Sequence, residues 1–242
     1  MKAPKGQNFL YQPAWLGRVA AAVGPSQDLL EIGGGPGALS LLLAAQSVRF
    51  WVVESDPRLA QSLRQLGLPT LETDILALDL GALAAEQAVA RWRIAGNLPY
   101  HITSPILLHL FRFAACIADA TIMVQREVAD RLLARPGSRT FGLLSATAQF
   151  YAHPVRLFDL PPGAFRPAPQ VHSTLLRLTF ASRAAELGVD EPAFMAFLRL
   201  AFRHKRKRLS AVGIPSPARA EQLSLEQLAE LHRQSLLPPA GG

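Results

Sequence analysis

A chain of 242 residues has room for one large domain, or for one domain with a small appendage. Half of its residues are hydrophobic, which supports a sizeable core and excludes a disordered chain. Its 25 Lys and Arg against 18 Asp and Glu leave a net charge of +7, and a soluble protein this basic is expected to meet a polyanion, nucleic acid before an acidic membrane face.

The start, MKAPKGQNFL, carries no apolar signal core. The longest uncharged apolar stretch, GALSLLLAAQSV, is too short to span a membrane. The single cysteine, Cys116, can form no internal disulfide and reads as buried packing. No CxxC and no clustered histidines suggest a metal. A reducing, cytoplasmic setting is expected.

In chain order, Pro13 to Val23 carries Leu16, Val19, Ala20 and Val23 at helical spacing. Asp28 to Ile32 reads as a short buried strand that stops at glycines, and ALSLLLAAQ follows as a helix. Val48 to Glu54 is a second strand, β-branched and aromatic. The next helix has Asp56 as N-cap, Pro57 in its first position and Gly67 as its stop. TLET, before Asp74, is a third strand, and ARWRIAGN holds a fourth. SPILLHLFRF is a helix started by Ser104 and Pro105; DATIMVQ is a fifth strand and REVADRLLA a helix after it. Strands alternating with helices predict an α/β fold, a parallel sheet covered on both faces. After Ser145, HPVRLFDL and STLLRLTF alternate like antiparallel strands, with PPGAFRPAPQ between them. From Arg183 the pattern is helical and basic. The expected division is residues 1–182 as the ligand-binding domain and 183–242 as a small helical domain.

EIGGGPGALS joins the first strand to a helix. Glycines let backbone approach a ligand closely, and the helix end offers free N–H groups to a nucleotide-like molecule. Gly33, Gly35 and Ala38 fit GxGxxA, so NAD and other adenosine cofactors stay open, as does a plain tight turn. Glu54 ends the second strand, where an acid can accept hydrogen bonds from ribose hydroxyls. Asp74 ends the third, where it could meet an adenine amino group or simply cap a turn. Asn97 follows the fourth. All fall on the rim outside the strands' C-terminal ends, where such folds bind ligands.

The turn Asn97-Leu98-Pro99-Tyr100 joins an amide, a fixed bend and an aromatic ring. An adenine amine has its lone pair delocalised into the ring, and two acceptors at its N–H groups favour a more tetrahedral nitrogen. The Asn97 side-chain oxygen is one. The Leu98 carbonyl is the other, because Pro99 fixes the bend and biases Leu98 to an extended backbone. Tyr100 offers a flat face for the base. The alternative is a turn with a packed tyrosine.

GQNFL, LEIGGGPGALS, GNLPYHITSPIL, MVQREVADRL and FRPAPQVHSTLLRL occur in the order found in the ribosomal RNA adenine dimethyltransferase family, which this chain resembles over roughly residues 6–210. The resemblance implies a Rossmann-like class I methyltransferase sheet, with S-adenosyl-L-methionine as methyl donor and S-adenosylhomocysteine as product. It implies N6,N6-dimethylation of adenosine. Its bacterial small-subunit (16S) branch, the nearest, modifies two adjacent adenosines near the 3′ end of the rRNA, within an assembling ribosomal particle. Carried over by position, Asn8 and Leu10 would close over the cofactor, and Gly33 would lie against its methionine part. Glu54 would hold the ribose and Asp74 the adenine. Asn97 would touch cofactor and target amine, with Leu98, Pro99 and Tyr100 completing the catalytic turn. Phe165 would stack on the other face of the target adenine.

His101 and His172 depart from the family's usual residues without replacing a group the chemistry needs, and the C-terminal appendage is short. Arg203, Lys205, Arg206, Lys207 and Arg208 form a run that RNA phosphate would neutralise, or that a solvated helix end would carry. Arg126, Arg131, Arg135 and Arg139 would extend it. A monomer is expected, with no membrane and no metal. Rival readings are the related large-subunit rRNA methyltransferase, a binding protein that kept the fold without turnover, and a dehydrogenase using the same glycine loop.

Overall fold

The structure is a computed structural model that describes residues 8–204 and 207–236. In chain order its elements are β1 (Phe9–Leu10), α1 (Pro13–Val23), β2 (Ser26–Ile32), α2 (Ala38–Ala45), β3 (Ser47–Glu54), α3 (Pro57–Gln65), β4 (Thr70–Glu72), α4 (Leu80–Glu86), β5 (Trp92–Asn97), α5 (Thr103–Arg112), β6 (Ile117–Gln125) and α6 (Arg126–Leu132). There follow α7 (Leu143–Tyr151), β7 (Ala152–Leu160), β8 (Phe165–Arg166), β9 (Ser173–Phe180), α8 (Ala184–Leu187), α9 (Glu191–Ala201) and α10 (Leu225–Leu236).

The seven-stranded sheet runs β4-β3-β2-β5-β6-β9-β7. From β4 across to β6 every neighbouring pair is parallel, and β9 joins β6 antiparallel. The chain leaves β2 toward β3 and β4, then returns to place β5 on β2's other side. That reversal opens a crevice between the C-terminal ends of β2 and β5. The two strands lie close there: a Cβ on Gly96 would stand 2.6 Å from the Ile32 carbonyl oxygen, so only glycine fits.

The helices begin as their sequences dictate. Asp56 accepts from the N–H groups of Arg58 and Leu59, and Pro57 follows it. Gly67, at φ +78°, lets the chain turn away behind the helix. The helix after the Asn-Leu-Pro-Tyr turn departs from expectation. It starts at Thr103 rather than at Ser104, and no side chain caps it. A single 3-10 turn, Tyr100–Ile102, feeds straight into it, and the Thr103 hydroxyl donates to the Pro99 carbonyl at 2.9 Å.

β1 and β8 form a separate antiparallel ribbon, with Phe9 opposite Arg166 and Leu10 opposite Phe165. Side chains directly opposite share a face, and successive ones alternate. Leu10 and Phe165 therefore share one face, and both are buried in a core built with Leu16, Val19, Leu43 and Leu175. Phe9 and Arg166 share the other.

The chain divides into two compact units, one of residues 1–129 with 155–180, the other of 130–154 with 181–242. Sequence reading set a single cut after residue 182; by compactness, residues 130–154 group with the C-terminal helices. Among them is α7, a helix the alternation of the flanking strands did not announce. In the second unit Phe150, Phe194 and Phe197 pack with His232, which is 4% exposed. Arg183 ties the ends of this unit by ion pairs to Glu186 and Glu226.

Candidate active site

An open cleft lies in the first unit outside the C-terminal ends of β2 to β5, with about 650 Å³ of free space, open solvent included. Gly33, Glu54, Asp74, Asn97, Leu98, Pro99 and Tyr100 all line it, as does Asn8. Leu10 lines a smaller neighbouring cavity together with Glu31, Gly33 and Asn97.

The glycine loop is drawn tight by its own backbone. Gly33 N–H donates to the Val53 carbonyl at 2.8 Å with φ at +77°. Gly35 N–H donates to the Glu54 carboxylate at 3.0 Å, and Asp56 N–H donates to its other oxygen at 2.9 Å. Glu54 is thereby held in one rotamer at the cleft wall, 4% exposed. Asp74 lines the cleft and also caps a 3-10 turn, accepting from Leu76 N–H at 2.9 Å.

The Asn-Leu-Pro-Tyr turn is fixed at four points. Leu98 N–H donates to the Met123 carbonyl at 3.0 Å, on the neighbouring strand. Pro99 carries the bend at φ −59°. The Tyr100 hydroxyl shares a 2.6 Å hydrogen bond with the hydroxyl of Ser173, which is fully buried on β9. Burial raises the Tyr100 pKa and that bond opposes the rise, so the phenol stays protonated. The Asn97 amide nitrogen donates to the Asn8 carbonyl at 2.7 Å. This fixes which way the amide faces. Its oxygen is buried and, among the described residues, has no hydrogen-bond partner.

Glu31 is a second acceptor in the same state. It lines the smaller cavity, is 1% exposed, and one of its carboxylate oxygens lacks a partner among the described residues. Burial pushes its pKa up to about 8; a hydrogen bond with Ser40 opposes this and the charge of Glu54 adds to it. Buried acceptors without donors are costly unless a ligand satisfies them. A molecule bringing N–H groups fits the Asn97 end of the cleft.

Phe165 is the residue the structure does not bring here. It is 2% exposed and lies on the core face of the ribbon with Leu10. The strand register is the reason: one residue on, Arg166 takes the opposite face and is exposed. Arg203, Lys207 and Arg208 are exposed in the second unit, while Lys205 and Arg206 lie outside the described residues. Arg126, Arg131, Arg135 and Arg139 are exposed, as are His101 and His172. Cys116 is only partly buried, its thiol donating to the Phe113 carbonyl. No group of candidate metal ligands occurs among the described residues, and no described helix is long and apolar enough to cross a membrane.

Sequence reasoning passed over Phe9, Glu31 and Ser173. Glu31 had a signal, an acid inside an apolar strand two residues before the glycines. Phe9 and Ser173 had none, because their roles come from a ribbon and a strand pairing distant in sequence.

The sequence pattern of the ribosomal RNA adenine dimethylase family matches residues 1–237. The Ribosomal RNA small subunit methyltransferase A of Koribacter versatilis is 43% identical over 267 aligned residues, covering 96% of this chain and 94% of that protein. The protein of the same name in Acidobacterium capsulatum is 44% identical over 257, covering 96% and 90%. Among solved structures, a dimethyladenosine transferase from Plasmodium falciparum superimposes with a TM-score of 0.70 at 23% identity, over 84% of this chain and 74% of that one. The 23S rRNA methyltransferase ErmE does so with 0.70 at 22%, over 94% and 99%. These two likenesses concern the fold.

Proposed function

This chain belongs to the ribosomal RNA adenine dimethylase family, and on that premise we propose that it methylates the N6 amines of two adjacent adenosines near the 3′ end of small-subunit rRNA, giving N6,N6-dimethyladenosine. It is an rRNA adenine methyltransferase. When bound, S-adenosyl-L-methionine supplies an electrophilic sulfonium methyl and leaves as S-adenosylhomocysteine.

The observation that carries the reading is the Asn97 amide: its nitrogen is committed to Asn8, so a buried, unpartnered oxygen is aimed for an N–H donor. The Asn97 oxygen and the Leu98 carbonyl accept the two N–H groups of the target amine. That geometry draws the nitrogen lone pair out of the ring and toward the methyl. Tyr100 holds the base by stacking. No strong base is needed, since the amine becomes acidic once methylated and its proton passes to water. Most of the rate comes from positioning.

Glu54 offers its remaining lone pairs to ribose hydroxyls, and Asp74 accepts from the adenine amine. Gly33 lets backbone close on the methionine part, with Asn8 and Leu10 over it. Residues 1–182 do this chemistry. Residues 183–242, through Arg203, Lys205, Arg206, Lys207 and Arg208, hold rRNA phosphate in an assembling subunit. The protein works as a monomer in the cytoplasm. Phe165 supports the ribbon from the core side and does not face the base.

The test is methyl transfer from labelled cofactor to undermethylated small subunits, with mass mapping of the products. Asn97→Ala should lower turnover roughly 100-fold, as loss of a preorganised polar group does, while retaining much of its cofactor affinity. Unchanged turnover, or methyl groups on other nucleotides, would contradict the assignment.

A further inference from the structure

The ribbon face that carries Phe9 ends outside the cleft in an exposed pair. The Arg166 guanidinium carbon lies 4.6 Å from the centre of the Tyr11 ring. Tyr11 is 40% exposed and Arg166 is exposed. Register puts them there: Arg166 is opposite Phe9, Tyr11 is two residues beyond Phe9, and Tyr11 N–H continues the pairing to the Ala164 carbonyl at 3.1 Å. Phe9 itself lines the cleft wall. A flat cation stacked on a ring therefore stands a few residues from the bound target. Among the described residues Arg166 has no carboxylate partner, so its positive charge is uncompensated.

We propose that Tyr11 and Arg166 form a docking surface for the unpaired nucleotide adjoining the target adenosine, its base lying on the Tyr11–Arg166 pair and its phosphate taken by the guanidinium. This rests on the RNA methyltransferase reading above. A target pulled into a cleft leaves its neighbours unstacked, and an unstacked base finds an aromatic ring or a guanidinium plane the best replacement. Arginine suits both halves of the task, offering a planar face for the base and a fork of donors for phosphate. An aromatic ring fixed by backbone pairing gives the surface a constant place relative to the catalytic turn.

The experiment measures methyl transfer to undermethylated small subunits by wild type, Tyr11→Ala, Arg166→Ala and Arg166→Lys. Arg112→Ala is the control. Arg112 also lies near a ring, Phe113, but at the far end of α5, about 9 Å along the helix beyond Ile106, which lines the cleft. Tyr11→Ala and Arg166→Ala should each raise KM for the subunit about tenfold, with kcat and cofactor affinity nearly unchanged. Arg166→Lys, which keeps charge without a planar face, should fall between. Arg166→Ala should also flatten the dependence of log KM on log salt by about one phosphate contact. Arg112→Ala should match wild type. A subunit KM within twofold of wild type for both alanine variants would overturn the proposal. So would a matching loss of cofactor affinity, which would make Tyr11 a structural residue. Wild type that transfers no methyl group would instead sink the underlying reading, and this one with it.

Discussion

Tyr100 reaches the cleft as a tethered ring. Its hydroxyl is held by Ser173, a residue of β9, the strand that pairs antiparallel with β6. A free ring would rotate about two bonds and stack on a base only part of the time. Ser173→Ala should therefore lower kcat about fivefold, the worth of a hydrogen bond of ~1 kcal/mol. Tyr100→Phe should do the same, and the double variant no worse than either, because both remove one bond. Single-turnover rates of the four proteins would show it; fully additive losses would separate the two residues. Glu31 gives a second test. Its folded pKa, about 8, stands above the ordinary 4.5, so the folded state keeps a proton that the unfolded state releases across that window. Stability should then fall as pH rises from about 4.5 to about 8, by at most roughly 1.4 kcal/mol per unit. Glu31→Gln should remove the slope in urea midpoints measured across that range. At this scale the sequence was legible where a residue's task is local. Asn97, Pro99, Glu54 and Asp74 could be placed because turns and strand ends constrain them from either side. Ser173 could not, since nothing near it in sequence mentions a tyrosine, and Phe165 was placed at the cleft by the resemblance alone, its face being undecided until the register is known.

The elements that frame the cleft depend on how closely two strands approach. Gly96 faces the Ile32 carbonyl at a distance no side chain tolerates, and both neighbours are backbone in a buried parallel sheet. Gly96→Ala must part β2 from β5 at the reversal point. The expected cost is about 3 kcal/mol, which for a protein of this size lowers Tm by roughly 6–12 °C. Calorimetry would measure it, and a shift under 2 °C would mean that the strands have slack. The parallel strands were legible because each is short, apolar and stopped by glycine or an acid. Two helices were not. α4 reads LGALAAE, seven residues with little amphipathic signal, and α7 reads LLSATAQFY, buried on most sides and lacking the periodic polar face that marks a surface helix.

For the molecule as a whole, the second unit differs from the first in what acid does to it. His232 sits among Phe194 and Phe197, one ring nitrogen without a partner among the described residues, and burial holds its pKa below the ordinary 6.5. The unfolded chain takes up a proton there before the folded one does. Stability should thus be lost as pH falls through about 6.5. His232→Leu should be less sensitive between pH 7.5 and 5, read from denaturant midpoints followed by far-UV circular dichroism. A wild-type midpoint that does not move would remove His232 as the cause. The existence of a C-terminal helical unit was legible from the change of texture at Arg183. That it also takes in residues 130–154 was not, because compactness is decided by packing between segments far apart in the chain.

The bond between the Asn97 amide and the Asn8 carbonyl makes the orientation of the Asn97 oxygen hostage to a residue near the start of the chain. A protease that clipped the polypeptide just beyond residue 8 would leave Leu10 in its core and the sheet standing. The amide, released from its guide, could then rotate by half a turn and meet the incoming nucleobase with hydrogens against hydrogens. Such a nicked protein would still melt cooperatively and yet be mute toward ribosomes, silenced by a cut that folding assays would miss.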